Sequence, residues 1–246
     1  MAEANKLYIE NLLLAALPKE EGQRLAPYLE FVPLALGQVL HEAYEPIRHV
    51  YFPINSVVSL ISTLKDGTMV ELGMIGVEGM VGISVLLETD KPFSQAIVQT
   101  GDGAMRLKVA RLREELERNG KLPSLLLRYT HELMTQLAQT SACHRLHDLK
   151  ERFACWLLMV HDRMQRDELF LTHDFISQML GVRRPVVTDT ALSLQKAGLI
   201  IYSRGHVKIL NRRGLEEIAC EHYKCVDYSK LSSKGEVVHR KQKKRQ

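Results

Sequence analysis

Residues 171–210 contain two helical segments with a single glycine between them and a short hairpin after them. Thr172 is a favourable N-cap for the first segment, and Gly181 ends it, because a tight turn there requires a residue without Cβ strain. The second segment, about residues 183–196, has an apolar face at helical spacing, formed by Val187, Ala191 and Leu194. This order of elements predicts a small domain in which the first helix supports the second.

Polar and basic side chains occupy the opposite face of the second segment and the outer side of the hairpin. The major groove of B-DNA admits one α-helix, and the arginine fork matches two acceptors on guanine. Basic residues on a hairpin are suited to phosphates. The predicted DNA-contacting residues are Arg183, Arg184, Thr188, Asp189 and Ser193 on the helix, and Arg204, His206 and Lys208 on the hairpin. A helical hairpin with solvated charges is the alternative interpretation.

Upstream of this segment, residues 31–107 consist of short β-branched runs punctuated by glycine. Asp66-Gly67 predicts a hairpin with positive φ at both turn positions, and glycines at 73, 76, 79 and 82 predict further turns. Many short strands at close spacing favour a barrel or roll. With short helices expected over residues 7–28, the predicted fold class is α+β, with an amino-terminal β-roll.

A long helix of about residues 123–143 follows the predicted roll. Its single apolar stripe consists of Leu122, Leu126, Tyr129, Leu133 and Leu137. Such a stripe after a complete small barrel predicts self-association, with Leu126, Tyr129, Leu133 and Leu137 as dimer contacts. Packing of this stripe against its own domain is the alternative.

A further helix, about residues 146–164, sets the predicted division of the chain. The expected domains are 1–145 (roll and long helix) and 146–228 (two helices and hairpin). Residues 229–246 form a basic tail, which we expect to be disordered. Contact with DNA phosphates and a purely solvated end are equally compatible with its charge.

Composition excludes several classes of protein. A net charge of +4 does not by itself identify a nucleic-acid binder. The sequence has no apolar run of membrane-spanning length and no secretion signal, so a cytoplasmic location without membrane contact is expected. The chain lacks a Ser/His/Asp set, a phosphate-binding Gly-Lys-Ser/Thr loop and an HExxH run, so we expect neither an enzyme nor a cofactor.

The run GVRRPVVTDTALSLQKAGLI (residues 181–200), followed by YSRGHVKIL (202–210), resembles the recognition helix and wing of the CRP/FNR family of bacterial transcription regulators. The resemblance implies a homodimer that binds an inverted-repeat operator in double-stranded DNA, with RNA polymerase as a candidate further partner. The family's Arg-Glu-x-x-x-Arg reading pattern falls on Arg184, Pro185 and Asp189. Only the first arginine is kept, so the operator preference of well-known members is not expected here.

The sensor half departs further from this family. Members that bind cyclic nucleotides resemble Gly-Glu-Leu-Gly followed by Arg-Ser, and the matching positions here are Gly82, Ile83, Phe93 and Ser94. A phosphate without a cation is poorly stabilised, and Lys91 is the candidate substitute. We therefore expect a degenerate ligand pocket without conventional cyclic-nucleotide binding. The alternative functions are a receptor for a cyclic nucleotide or another small molecule, and an adaptor whose winged domain binds protein.

Other sensor chemistries have little support in the sequence. The first cysteine is Cys143, which disfavours an iron–sulfur cluster near the amino terminus. Haem would require an axial ligand such as His41, His49 or His131, and a lone histidine is more often structural.

The four cysteines do not form a disulfide framework. Cys220, His222 and Cys225 could bind zinc with a fourth ligand, but their spacing matches no common structural zinc motif. We therefore expect no metal site, a helix end with incidental thiols, and Cys143 and Cys155 packed as small apolar residues.

Overall fold

A computed structural model of the protein describes residues 8–118, 120–164 and 166–225. The basic tail predicted for 229–246 lies outside these residues. Short helices open the described chain, as predicted: the 3₁₀ turns Tyr8–Glu10 and Ala26–Tyr28 flank helices α1 (Leu12–Ala15) and α2 (Lys19–Leu25). Asn11 caps α1, and its side chain also donates to the carbonyl oxygens of Pro53 and Gly79 at 3.2 and 3.0 Å, which fixes this segment on the roll.

An antiparallel roll follows, confirming the predicted α+β class. Its strands are β1 (Glu30–Pro33), β2 (Val39–His41), β3 (His49–Thr63), β4 (Met69–Ile75) and β5 (Gln95–Lys108). The order is β1-β5-β3-β4, and β2 also pairs with β5. Register shifts within β3 mark bulges, which increase the curvature of the sheet.

Three details of the roll differ from the prediction. The roll was predicted to consist of short strands, but its last strand, β5, has 14 residues, because β3 is long enough to pair with all of it. In the β3–β4 turn only Gly67 has positive φ, +83°, while Asp66 accepts a hydrogen bond from the amide of Thr68. Strands β1 and β2 were not predicted as separate elements.

Helices α3 (Val109–Leu116), α4 (Leu122–Leu146) and α5 (Leu149–Met164) come next. The long helix α4 begins at a cap provided from elsewhere in the chain. The buried carboxylate of Glu21 accepts from the amide of Lys121 at 2.8 Å and from that of Leu122 at 3.1 Å. A negative charge at this point satisfies free amide groups and complements the helix dipole.

The apolar stripe of α4 faces its own roll. Leu126, Tyr129 and Leu133 are at most 3% exposed and belong to the core of the roll, and the half-buried Leu137 packs against it. The prediction that these four residues form dimer contacts is therefore wrong, and the alternative that they pack within their own domain holds. Helical spacing identified an apolar face correctly, but the roll covers it.

The carboxy-terminal domain contains α6 (His173–Leu180), α7 (Arg184–Lys196), α8 (Arg212–Ile218) and α9 (His222–Cys225). Its sheet has the order β6-β8-β7, formed by β6 (Glu168–Phe170), β7 (Ile200–Ser203) and β8 (His206–Ile209). The buried side of α5 includes Phe153, Trp156, Leu157 and Val160. Strand β6 was not predicted.

The core of the carboxy-terminal domain continues into the roll. Val57 and Ile61 of β3 and Met74 of β4 are buried in the same cluster as the residues of α5, α6 and α7. Two glycines of the roll allow the helices to approach closely. A Cβ at Gly76 would lie 2.6 Å from Cγ of Arg163, and one at Gly79 would lie 2.3 Å from the hydroxyl of Tyr129. These glycines therefore accommodate side chains of the two helices.

Among the described residues, no helix has the length and apolar character needed to cross a bilayer.

Candidate nucleic-acid interface

Helices α6 and α7 are joined by a turn whose geometry follows from two residues. Thr172 caps α6, and its hydroxyl accepts from the amide of Phe175 at 3.2 Å. Gly181 ends α6 in the left-handed conformation, with φ of +63°. Both features confirm the predicted helix–glycine–helix arrangement, since a left-handed residue at this position is strained unless it is glycine.

The inner face of α7 is also the predicted one. Val187, Ala191 and Leu194 are 0–2% exposed and pack into the core of the carboxy-terminal domain. Burial of this face fixes the rotation of the helix, so its other face points away from the protein.

The outward face of α7 begins with two arginines. Arg183 is the N-cap residue, Arg184 is the first residue of the helix, and both are exposed. The guanidinium of Arg184 lies 3.4 Å from the carboxylate of Asp174, a pair that is about two-thirds exposed on each side. Exposed pairs of this kind are weak, so this arginine can exchange its partner for another anion at little cost.

The remaining predicted residues of α7 divide into two groups. Asp189 and Ser193 are exposed further along the helix. Thr188 is half-buried, and its hydroxyl is hydrogen-bonded to Nδ1 of His173 at 3.0 Å. The ring of His173 in turn stacks on Tyr202, with ring centroids 4.2 Å apart. Thr188 therefore links α7 to α6 and to the hairpin, so the structure assigns its hydroxyl a bracing contact.

The hairpin β7–β8 presents the predicted outer residues to solvent. Val207 and Ile209 are buried, whereas Arg204, His206 and Lys208 are exposed. Arg204 occupies the tip with φ of +49°, followed by Gly205 at +83°. Lys208 pairs with Glu168 at 3.1 Å on the neighbouring strand, and His206 packs edge-on against Phe170. The tip of the hairpin therefore carries an exposed guanidinium.

Sequence reasoning missed two apolar residues on the outward face of α7. Val186 is 40% exposed and Leu192 is 48% exposed. Val186 directly follows Pro185 in the first turn, among the residues that a groove-binding helix presents to base edges. An apolar side chain there can contact the methyl group of thymine.

The predicted ligand-pocket residues lie in the segment that connects β4 to β5. Gly82 has φ of +97° and precedes the 3₁₀ turn Ile83–Leu87. Ile83 is half-buried against the core of the roll, Phe93 is 59% exposed and Ser94 is buried. Apolar side chains therefore occupy the positions at which the family resemblance places a glutamate and an arginine.

A buried polar network joins the carboxy-terminal domain to the roll, and no sequence pattern pointed to it. The guanidinium of Arg163 on α5 lies 2.8 Å from the carboxylate of Glu78, and both side chains are at most 6% exposed. The indole of Trp156 donates to Glu71 at 3.0 Å. Burial raises the pKa of Glu71 to about 7, although the Trp156 hydrogen bond and the charge of Arg163 oppose the shift.

A family profile described as the Crp-like helix-turn-helix domain matches residues 151–218, which span α5 through α8. A comparison with curated protein sequences gives no match.

Solved structures with a similar fold span the roll as well. A putative transcriptional regulator of the crp/fnr family from Eubacterium rectale has a TM-score of 0.60 at 20% identity, covering 84% of this chain and 96% of that one. A CRP-family transcriptional regulator from Thermus thermophilus has a TM-score of 0.64 at 19% identity, covering 77% and 96%. A c-di-GMP responsive global regulator from Xanthomonas campestris has a TM-score of 0.63 at 16% identity, covering 78% and 99%.

At these identities the structural matches show the fold, and the profile match defines the carboxy-terminal domain. The chain therefore carries a Crp-like helix-turn-helix domain at residues 151–218 and has the fold of the CRP/FNR family of transcription regulators.

Proposed function

We propose that this protein is a sequence-specific DNA-binding transcription regulator that acts as a homodimer on an inverted-repeat operator. The observation that carries the proposal is the amino-terminal end of α7. Arg183 and Arg184 are exposed there, while Val187, Ala191 and Leu194 bury the opposite face of the helix. A helix held in this way can enter the major groove with its first turn against the bases.

The exposed side chains suggest a division of roles. Arg184 reads guanine and Val186 contacts a thymine methyl, since both lie in the first turn of the helix. Arg183 supplies a second basic contact, and Asp189 accepts from cytosine or orients an arginine. Arg204 at the tip of the hairpin binds a phosphate, which adds affinity without sequence choice.

A different face of α4 supports the dimer. Leu127 and Met134 are 57% and 64% exposed, and they lie on one side of the helix together with His131 and Ala138. Two copies of α4 packed along this face would bury both apolar side chains. The two α7 helices would then meet successive major grooves about 34 Å apart.

The roll acts in this proposal as a sensor for something other than a conventional cyclic nucleotide. Ile83 and Phe93 supply neither a carboxylate for ribose nor a cation for a cyclic phosphate. Calorimetric titration with cyclic AMP and cyclic GMP tests this part of the proposal, and heat of binding would contradict it.

The central experiment compares DNA binding of the wild type with Arg184→Ala and Arg183→Ala at fixed salt. The operator is first recovered by genome-wide footprinting of the purified protein. A bidentate contact to guanine is worth about 1–3 kcal/mol, so Arg184→Ala is expected to weaken operator binding about 5- to 150-fold and to relax specificity at one base pair.

Arg111→Ala on α3 is the matched control, since it removes one partly exposed arginine far along the chain from α7. It is expected to leave operator binding unchanged. Unchanged operator binding by both α7 variants would refute groove reading by this helix. Capture of a protein partner that depends on Arg184, without any DNA footprint, would instead favour the adaptor alternative.

A further inference from the structure

Three cysteines that are distant in sequence meet where α4 joins the carboxy-terminal domain. Cys143 lies near the end of α4, Cys155 lies on α5, and Cys220 lies between α8 and α9. All three are at most 5% exposed and form one cluster. The Sγ atoms of Cys143 and Cys220 are 3.5 Å apart, which is well beyond the ~2.05 Å of a disulfide bond.

Two histidines extend this cluster into two overlapping triads. In one triad the ligand atoms of Cys155, Cys220 and His222 lie within 4.8 Å of one another, and in the other those of Cys143, His147 and Cys220 do. Nε2 of His222 and Nδ1 of His147 are buried without a hydrogen-bond partner in the described structure. A buried ring nitrogen without a partner is costly and calls for an explanation.

A small cavity distinguishes between the two histidines. Its volume is about 40 Å³, and its lining includes all three cysteines and His222. A space larger than about 10–15 Å³ can hold a water-sized species. His147 is not part of this lining, and its Nε2 pairs with Glu221 at 3.1 Å. All three cysteines and His222 therefore line one cavity, whereas His147 does not.

We propose that Cys143, Cys155, Cys220 and His222 bind one Zn²⁺ ion. Zinc takes four ligands in a tetrahedron, with Zn–S near 2.3 Å, which places neighbouring sulfur atoms about 3.8 Å apart. Each triad meets the 4.8 Å limit separately, and Cys220 belongs to both. Cys143, with its Sγ atom 3.5 Å from that of Cys220, would complete the set when the four side chains close around one ion. A set of three thiolates and one imidazole is a common structural zinc site.

The proton balance of the proposed site follows from its ligands. Zinc binds cysteine as the thiolate and histidine as the neutral imidazole. Binding therefore forms three Zn–S bonds and one Zn–N bond, and the thiol protons pass to solvent.

One cation of the protein balances the charge of the site. Three thiolates and Zn²⁺ leave a net charge of −1. The half-buried guanidinium of Arg152 interacts with both Cys143 and Cys220, so the metal-bound cluster and this arginine together would be neutral. Neutrality lowers the cost of burying the site.

The ion would connect segments that set the position of the carboxy-terminal domain. Cys143 belongs to the long helix, Cys155 to the first helix of the carboxy-terminal domain, and the other two ligands follow α8. Metal binding would therefore clamp the end of this domain to the junction of α4 and α5. This site is independent of the outward face of α7.

The test begins with the full chain purified under reducing conditions. Elemental analysis is expected to find one zinc per chain, or the zinc-free protein is expected to take up one equivalent. Substitution with Co²⁺ is expected to give the absorption bands of tetrahedral cobalt–thiolate coordination. Zinc at 100 times its Kd is expected to raise Tm by about 5–10 °C.

Variants identify the ligands. Cys220→Ser and His222→Gln are each expected to weaken zinc binding more than about 100-fold, because loss of an outer-shell partner alone costs 10- to 100-fold. Circular dichroism of each metal-free variant checks that it is folded. His147→Gln is the matched control and is expected to keep the ion.

Two outcomes would overturn the assignment. Loss of zinc in His147→Gln with retention in His222→Gln would exclude the proposed fourth ligand. Absence of zinc uptake by the reduced wild type would exclude the site altogether, and a Cys143–Cys220 disulfide on exposure to air would then explain the cluster. Neither outcome bears on DNA binding by α7, which footprinting measures separately.

Discussion

Glu71→Gln is expected to change how stability of the protein depends on pH. The carboxyl group of Glu71 is 5% exposed on β4 and accepts from the indole of Trp156 on α5. It therefore lies at the contact between the roll and the carboxy-terminal domain. Glutamine has the shape of the protonated side chain but cannot ionise, so the variant removes one titration and little else.

The size of the expected change in stability follows from the pKa of Glu71. Burial raises the pKa of Glu71 from 4.5 to about 7, so the folded protein holds a proton that the unfolded chain releases. The stabilisation is fully present below pH 4.5 and is lost as pH rises through about 7. At about 1.36 kcal/mol per unit, the loss between these limits is about 3 kcal/mol.

Other buried groups titrate in the opposite sense. Burial lowers the pKa of His144 and of His222 to about 4, so their contribution to stability is present above pH 6.5 and is lost as pH falls toward 4. The wild-type profile is the sum of these effects. The difference between wild type and Glu71→Gln isolates the carboxyl group.

Urea unfolding from pH 5 to pH 8 measures this difference. Trp156 is the single tryptophan of the chain, so its fluorescence reports on the contact itself. The stability of Glu71→Gln relative to wild type is expected to increase by about 2–3 kcal/mol over this range. Glu217→Gln, at an exposed carboxyl of α8, is the control. Parallel profiles for wild type and Glu71→Gln would refute the reasoning.

Three further predictions concern caps and assembly. Glu21→Ala is expected to destabilise the protein by about 1–3 kcal/mol in urea unfolding, because two amide groups at the start of α4 lose their acceptor; an unchanged midpoint would exclude this cap. Thr172→Ala is expected to cost about 1 kcal/mol by the same measurement, whereas Thr172→Ser should restore the cap. Leu127→Asp combined with Met134→Asp is expected to yield monomers in sedimentation analysis without loss of fold. Leu87→Asp, at an equally exposed leucine of the roll, should leave the dimer intact, and dimers in the double variant would contradict the proposed face.

The carboxy-terminal domain could be predicted from sequence because its signals are local. A threonine cap, a left-handed glycine and an apolar face at helical spacing all fall within about forty residues. Each of these signals specifies backbone geometry directly. The buried positions Val187, Ala191 and Leu194 and the exposed tip at Arg204 follow from them. The bracing contact between Thr188 and His173 does not, since it depends on how two helices cross.

The error on α4 has a physical explanation. Periodicity shows that a helix has an apolar face, but it does not show which neighbour covers that face. The exposed side of α4 mixes Leu127 and Met134 with polar residues, so its pattern is weak beside the strong stripe that faces the roll.

The cysteine cluster was beyond sequence reasoning for a different reason. Cys143 and Cys220 are 77 residues apart, and only the packing of α4, α5 and α9 brings their neighbourhoods together. The sequence indicated Cys220 and His222 as candidate zinc ligands, because they are close together in the chain. Cys143 and Cys155 could not be identified in this way, because each fits the pattern of an ordinary buried residue.

The missing side chain at Gly76 has a mechanical consequence. Because Arg163 occupies the space of that side chain, the guanidinium reaches Glu78 inside the roll and α5 rests directly on the sheet. A single methyl group at this point would act as a spacer. It would lift α5 and leave a buried carboxylate without its counter-charge. The position of α5 on the roll therefore depends on the absence of a side chain at Gly76.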